Sequence, residues 1–104
     1  MDSHKPKVFV VNMSGHDYSA AERFGDLVFI TRGPIDRYDT TAMYMAVVEA
    51  MKTSKPDDYI LVTSLNALCG LACAVFARMH GKLNFLLYRK GTYIERRHDI
   101  DALI

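Results

Sequence analysis

Apolar residues fall along this chain in blocks, and the blocks change period from strand-like to helix-like and back. Lys7 to Met13, KVFVVNM, is a continuous apolar and β-branched run of the kind that forms a strand buried on both faces. A turn cluster, Ser14-Gly15-His16-Asp17, follows, and then Tyr18 to Phe24, where Ala20, Ala21 and Phe24 fall at helical spacing. This predicts a helix of about two turns, closed by Gly25. Leu27 to Thr31, LVFIT, repeats the buried-strand pattern and stops at Arg32-Gly33-Pro34. From Thr40 to Thr53 the period is helical, with Met43, Ala46, Val47, Ala50 and Met51 forming one stripe and Asp39 or Thr40 as N-cap. Ser54-Lys55-Pro56-Asp57-Asp58 breaks that helix, and Tyr59 to Thr63, YILVT, predicts a third buried strand.

Ser64 offers an N-cap to a helix over Leu65 to His80, apolar nearly all round and expected to be the most buried, which Gly81 ends. Leu83 to Tyr88 and Thr92 to Arg96 flank Arg89-Lys90-Gly91, a turn that predicts a hairpin of two antiparallel edge strands. The alternation of strands and helices specifies an α/β domain. Its expected form is a small Rossmann-like three-layer sandwich, with a mainly parallel sheet of about five strands, helices on both faces and a C-terminal antiparallel hairpin. Residues 1–104 read as a single domain, with 1–6 a polar leader and 98–104 a tail either loose or docked on a neighbour.

A chain of 104 residues with formal net charge +1, half of it hydrophobic and 24% charged, can build one core, and excludes collagen, coiled coil and wholesale disorder. Near-neutral charge also argues against a nucleic-acid partner, because phosphate affinity needs clustered Lys and Arg. The basic group of Arg89, Lys90, Arg96 and Arg97, interleaved with Tyr88 and Tyr93, reads as a solvated hairpin face. Cys69 and Cys73, four apart, suit one helix face as small buried hydrophobes, and as reduced thiols they point to a cytoplasmic protein. Met1 to Lys7 is too polar for a signal peptide, and the apolar stretch Ala67 to Ala77 falls far short of the roughly 20 residues a membrane span requires. Met43, Met45, Met51 and Met79 read as core filler.

Candidate chemistry gathers in three connections that leave the carboxyl ends of the predicted strands, where open parallel sheets bind ligands. The first supplies Asn12, Ser14, Gly15, His16 and Asp17: a small residue and a glycine that admit an anion, beside a His-Asp pair suited to acid-base work. In the plainer reading Ser14 and Asp17 cap the following helix and His16 is exposed. The second supplies Thr31, Arg32, Asp36, Arg37, Tyr38, Asp39 and Thr40. Its arginines can clamp a phosphate or carboxylate, its acids can hold ribose hydroxyls, and Tyr38 can stack on a base. Equally, Asp36 and Asp39 can satisfy turn and cap N–H groups with the arginines paired to them. The third supplies Thr63, Ser64 and Asn66 at a helix start, an anion site by dipole, although Ser64 lacks a nucleophile elbow and reads better as an N-cap.

Neither a G-x-G-x-x-G fingerprint nor a phosphate loop is present, so nicotinamide and ATP-hydrolysing chemistry are not expected and no cofactor is implied. His16 with Asp17, Asp36 or Asp39 has no metal-ligand spacing, and no metal is expected. His4, His80 and His98 lie at termini or at a helix end and need no catalytic role.

The string SGHDYSAAERFGDLVFITRGPIDRYDT, with KPDDYILVTSLNALCGLACAVFA after it, resembles small bacteriophage and mobile-element proteins of unknown function. The resemblance spans most of the chain. It carries over no catalytic residues and implies a cytoplasmic accessory protein, acting in the host during infection. The leading expectation is a binding protein for a nucleotide-like or other anionic small molecule, with binding favoured over turnover. The alternative is a protein–protein interaction module, a homo-oligomer joined through an edge strand of the final hairpin or through the helix Leu65 to His80. Hydrolysis centred on His16 and Asp17 is a third reading.

Overall fold

In the computed structural model, which describes residues 5–13, 15–63 and 65–102, the apolar runs become neighbouring strands of one sheet. Strands β1 (Lys7–Met13), β2 (Asp26–Arg32), β3 (Tyr59–Leu61), β4 (Lys82–Arg89) and β5 (Thr92–Asp99) lie in the order β2-β1-β3-β4-β5. The pairs β1–β2, β1–β3 and β3–β4 are parallel, and β4–β5 is antiparallel. Helices α1 (Thr40–Met51) and α2 (Asn66–His80) make the two long connections, into β3 and into β4.

Strand side chains alternate between faces, and each face of this sheet has its own core. Phe9, Val11 and Ile60 meet Met43, Val47 and Met51 of α1 and Leu68, Ala72 and Phe76 of α2. Val8, Val10, Leu61, Leu86 and Tyr93 point the other way, where Tyr18 and Ala21 cover them from beside and within a 3-10 helix, Ser19–Phe24. Burial on both faces is why β1 reads as an unbroken apolar run.

The α/β class, the parallel centre and the closing hairpin agree with the sequence. In the layering, α1 and α2 share one face and the other carries only the 3-10 helix among the described residues. The six residues of Ser19–Phe24 take 3-10 form instead of the two-turn helix expected, a tighter geometry usual in runs this short. Only β5 of the hairpin is an edge; β4 pairs with β3, and the second edge is β2. The turn narrows to Lys90-Gly91, whose φ values of 50° and 87° match the twist of a two-residue hairpin.

α2 is one-sided, not buried all round: Leu68, Ala72 and Phe76 are buried, while Asn66, Ala67, Gly70, Ala74, Arg78 and Met79 are exposed. It lies on the outside of the sheet, and Ala and Gly lose little by facing water. Met43 and Met51 are core, but Met45 and Met79 are 66% and 48% exposed and fill nothing. Cys69 and Cys73 are free and half-buried.

At the helix starts, Asp39 caps α1, its Oδ1 accepting from the Ala42 N–H at 3.0 Å. Leu65 occupies the N-cap position of α2 without a side-chain cap, in place of Ser64, which with Ser14 lies outside the described residues. Strand β3 stops at Leu61 and α1 at Met51, each two residues short of the sequence estimate. Nor is the expected tail loose: His98 and Asp99 belong to β5, and the Ile100 and Asp101 N–H groups both donate to the Gly81 carbonyl at 2.9 Å.

Polar side chains fix the amino-terminal ends of the strands. Asp58, fully buried, accepts from the Lys7 N–H and the Lys55 N–H, each at 2.8 Å. Asn84, 1% exposed, donates to the carbonyls of Pro56 and Asp58, also at 2.8 Å. Gly25 is required by close approach: a Cβ there would run into the Pro6 carbonyl oxygen, which accepts the Asp26 N–H at 3.0 Å.

A second polar group holds β5 to β3 on the face opposite the helices. Tyr59 donates to Glu95 Oε2 at 2.8 Å, Arg97 Nη2 donates to the Tyr59 hydroxyl at 2.7 Å, and Arg97 also pairs with Glu95. Burial first, and the Glu95 hydrogen bond second, raise the Tyr59 hydroxyl above its ordinary range. The Tyr59 hydrogen bond is the main cause holding the Glu95 carboxyl below the glutamate range.

Two predictions follow from these contacts. Asp58→Asn turns one acceptor into a donor facing an N–H, and urea unfolding should show a loss of about 1–3 kcal/mol. Glu95 has the lower pKa in the folded state, so its contribution is present above the ordinary value of 4.5 and is lost as pH falls through the folded value. Glu95→Gln should therefore flatten the decline in thermal midpoint below about pH 4.5.

Candidate functional site

The chain leaves β1 toward β2 on one side, while β3 lies on the other, so the connections at their carboxyl ends diverge and open a cleft. On the face opposite the helices this cleft is a recess of about 460 Å³, lined by His16, Asp17, Tyr18, Leu61, Val62, Thr63, Tyr88 and Tyr93. Tyr88 and Tyr93 stand opposite each other across the hairpin, with ring centroids 5.5 Å apart at 68°. Tyr93 is buried and forms the wall; Tyr88, 66% exposed, forms the lip.

Tyr18 donates its hydroxyl to the Asn12 carbonyl at 3.0 Å and sets its ring 5.9 Å from Phe29 and 6.2 Å from His16. Burial, and then the neighbouring Tyr18, Tyr88 and Asp17, push the Tyr93 hydroxyl above its usual range, so it stays protonated. Asp17 accepts the Ser19 N–H at 2.9 Å, and that bond lowers its carboxyl. The recess thus presents aromatic faces, an anionic carboxylate and an exposed imidazole.

On the helix face a second recess, of about 480 Å³, is lined by Asn12, Met13, Gly15, Gly33, Pro34, Ile35, Arg37 and Leu65. Gly15 and Gly33 have φ values of 90° and 69°, the left-handed region in which glycine turns a loop without strain. A smaller hollow of about 210 Å³ continues from it along Arg37, Tyr38, Met43, Leu65, Asn66 and Ala67. Arg37 borders both.

The residues singled out from the sequence are therefore divided. His16, Asp17 and Thr63 share the first recess; Asn12, Gly15 and Arg37 share the second; Arg37, Tyr38 and Asn66 share the third. Thr31 is spent internally, its hydroxyl donating to Asn12 Oδ1 at 2.7 Å. Asp36 accepts the Tyr38 N–H at 2.9 Å and Asp39 caps α1, the local roles that turn chemistry gives such residues. Thr40 is exposed at the helix start. Arg32 lies along the edge of β2, with its guanidinium 4.9 Å from the Phe29 ring centroid and bonded to Met13 Sδ at 2.9 Å. Ser14 and Ser64 lie outside the described residues.

The sequence reading passed over Tyr18, Leu61, Val62, Tyr88 and Tyr93 as site residues. A signal was present: two tyrosines flanking a short glycine turn face each other on one side of a hairpin. The remaining candidates for chemistry are structural. Ser54 Oγ lies 2.8 Å from His80 Nε2, but its hydroxyl also bonds the Met51 carbonyl at 2.7 Å, and the pair ties the end of α2 to the end of α1. Cys69 donates to the Thr63 carbonyl at 3.2 Å. Burial pushes the Cys73 thiol up to about 11, which leaves little thiolate for reaction. Among the described residues no group of His, Cys, Asp and Glu is placed to hold a metal ion, and no helix is long and apolar enough to cross a membrane.

No curated protein and no solved structure matches the chain. A family model does match, over residues 6–100, which spans every strand and helix described above, and the chain belongs to the phage Pam3 gp32-like protein family.

Proposed function

We propose that this phage protein is a small accessory protein that binds a nucleotide-like or other anionic small molecule in the host cytoplasm, without turning it over. The observation that carries this reading is the tyrosine-lined recess at the point where the connections after β1 and β3 diverge. A planar ring fits against Tyr88 and Tyr93, with Tyr18 behind it and the Asp17 carboxylate placed to accept from ring or sugar donors. Arg37, which borders both recesses on the helix face, offers a guanidinium suited to bidentate recognition of an anionic group. In this reading the sheet is a reduced Rossmann-like sandwich, its third layer shrunk to the 3-10 helix so that the tyrosines are reachable.

Binding is favoured over catalysis because burial keeps the Cys73 thiol protonated, Cys69 donates to the Thr63 carbonyl and the Ser54–His80 contact is part of a helix clamp. The chain has 6 tyrosines and no tryptophan, and three of them, Tyr18, Tyr88 and Tyr93, line the recess, so a ligand bound there changes the tyrosine fluorescence. Titration with AMP, GMP, CMP and UMP should give saturable quenching by at least one of them. Tyr88→Ala, a change at an exposed side chain, should weaken that binding by about ten-fold through lost stacking while the far-UV spectrum is unchanged. No saturable response to any of the nucleotides would overturn the reading.

A further inference from the structure

An edge strand presents unpaired backbone N–H and C=O groups, and proteins usually guard such edges with charge, proline or a bulge. The two edges here are β5 and β2, and they are treated differently. β5 is guarded by the run Glu95-Arg96-Arg97-His98-Asp99. β2 has no such guard: Leu27 to Thr31, LVFIT, is uncharged, of high β-propensity and half-buried along its length. Its only charges stand at its two ends, Asp26 and Arg32, of opposite sign and both exposed.

That arrangement is self-complementary in one register. Antiparallel pairing of β2 with β2 of a second copy, centred on Phe29, sets Leu27 opposite Thr31, Val28 opposite Ile30 and Asp26 opposite Arg32. Two-fold symmetry makes the ion pair twice, once at each end. Opposed residues share a face, so Val28 and Ile30 meet their counterparts on the helix side and Leu27 and Phe29 meet theirs on the other. Parallel pairing in register would set Asp26 against Asp26 and Arg32 against Arg32, and a two-residue slip would lose the ion pairs.

A groove of about 510 Å³ beside Asp26, lined by Lys5, Glu22, Gly25, Asp26, Leu27 and Phe29, opens on the face of Leu27 and Phe29. Within one chain Lys5 Nζ lies 3.4 Å from Asp26 Oδ1, with both side chains more than half exposed, an ion pair weak enough to exchange. We propose that the chain associates with a second copy of itself through β2, joining the two sheets into one. This inference does not rest on the ligand reading, and its test uses no ligand.

Sedimentation equilibrium of the full chain should show a monomer–dimer equilibrium. Asp26→Lys and Arg32→Asp, both at exposed positions, should each weaken dimerisation by about ten-fold, because each replaces two attractions by two repulsions. The double variant Asp26→Lys/Arg32→Asp should recover the original affinity. Amide exchange of the original chain provides an independent readout: protection of residues 27–31 should rise with protein concentration while that of β5 does not. A monomer at every concentration, or a dimer indifferent to both single substitutions, would overturn the proposal. So would a double variant no better than the single ones, or exchange in β2 that is independent of concentration.

Discussion

The buried carboxylate of Asp58 is the contact on which the rest of the sheet depends. It takes the first N–H of β1 and the Lys55 N–H of the loop after α1, while Asn84 from β4 binds the carbonyls of Pro56 and of Asp58 itself. β3, the strand between them, has only three residues and pairs with β4 at two positions. Ladder bonds alone leave such a strand free to slip, and a slip of one residue would turn Ile60 and Leu61 to the wrong faces. A fully satisfied polar knot at the amino-terminal ends sets the register of β1, β3 and β4 at once. With that end fixed, the carboxyl ends diverge, and the cleft between them is a consequence of the same geometry.

The two faces of the sheet solve the burial problem by different means. On one face α1 and α2 supply long apolar stripes that cover Phe9, Val11 and Ile60. On the other a single 3-10 helix stands in for a third helix, and aromatic side chains complete the cover: Phe24 against Tyr59, Tyr18 against Phe29, Tyr93 against Tyr88. Arg23 stacks over Phe24 and reaches the Tyr93 carbonyl, and the Tyr59–Glu95–Arg97 group closes that face at the other end. Aromatic rings cover area with few residues and meet edge to face, which leaves gaps a packed helix would fill. The recess at Tyr88 and Tyr93 is such a gap.

Much of this could be read from residue order, because a strand buried on both faces must be apolar through its middle, as Val8 to Val11 of β1 are. What could not be read depends on partners distant in sequence. Ser54-Lys55-Pro56-Asp57-Asp58 is a helix breaker by composition, and nothing local distinguishes exposed Asp57 from fully buried Asp58, whose role exists only opposite Lys7 and Asn84. Asp36 and Asp39 offered both a ligand role and a turn role, and local bonds took them, as proximity along the chain favours. Tyr88 and Tyr93 were read with the neighbouring arginines as one solvated surface. The register of the Lys90-Gly91 turn sets the tyrosines on the face of Leu86 and Tyr18, with Arg97, and leaves Arg89 and Arg96 on the other face.

The contrast between the sheet edges is itself informative, since both belong to one chain under one set of demands for solubility. Charges crowd β5, where pairing with a neighbour would add a strand beyond the hairpin. On β2 the charges are confined to the ends, and the five residues between them are those most prone to pair. An unguarded edge of this kind invites indiscriminate association unless one register is much better than the rest. Opposite charges seven positions apart inclusive, at the two ends of a strand whose centre is Phe29, supply that preference, because only antiparallel self-pairing in that register satisfies both. In the proposed dimer the ends of β2 act as a selector, and its middle as the adhesive.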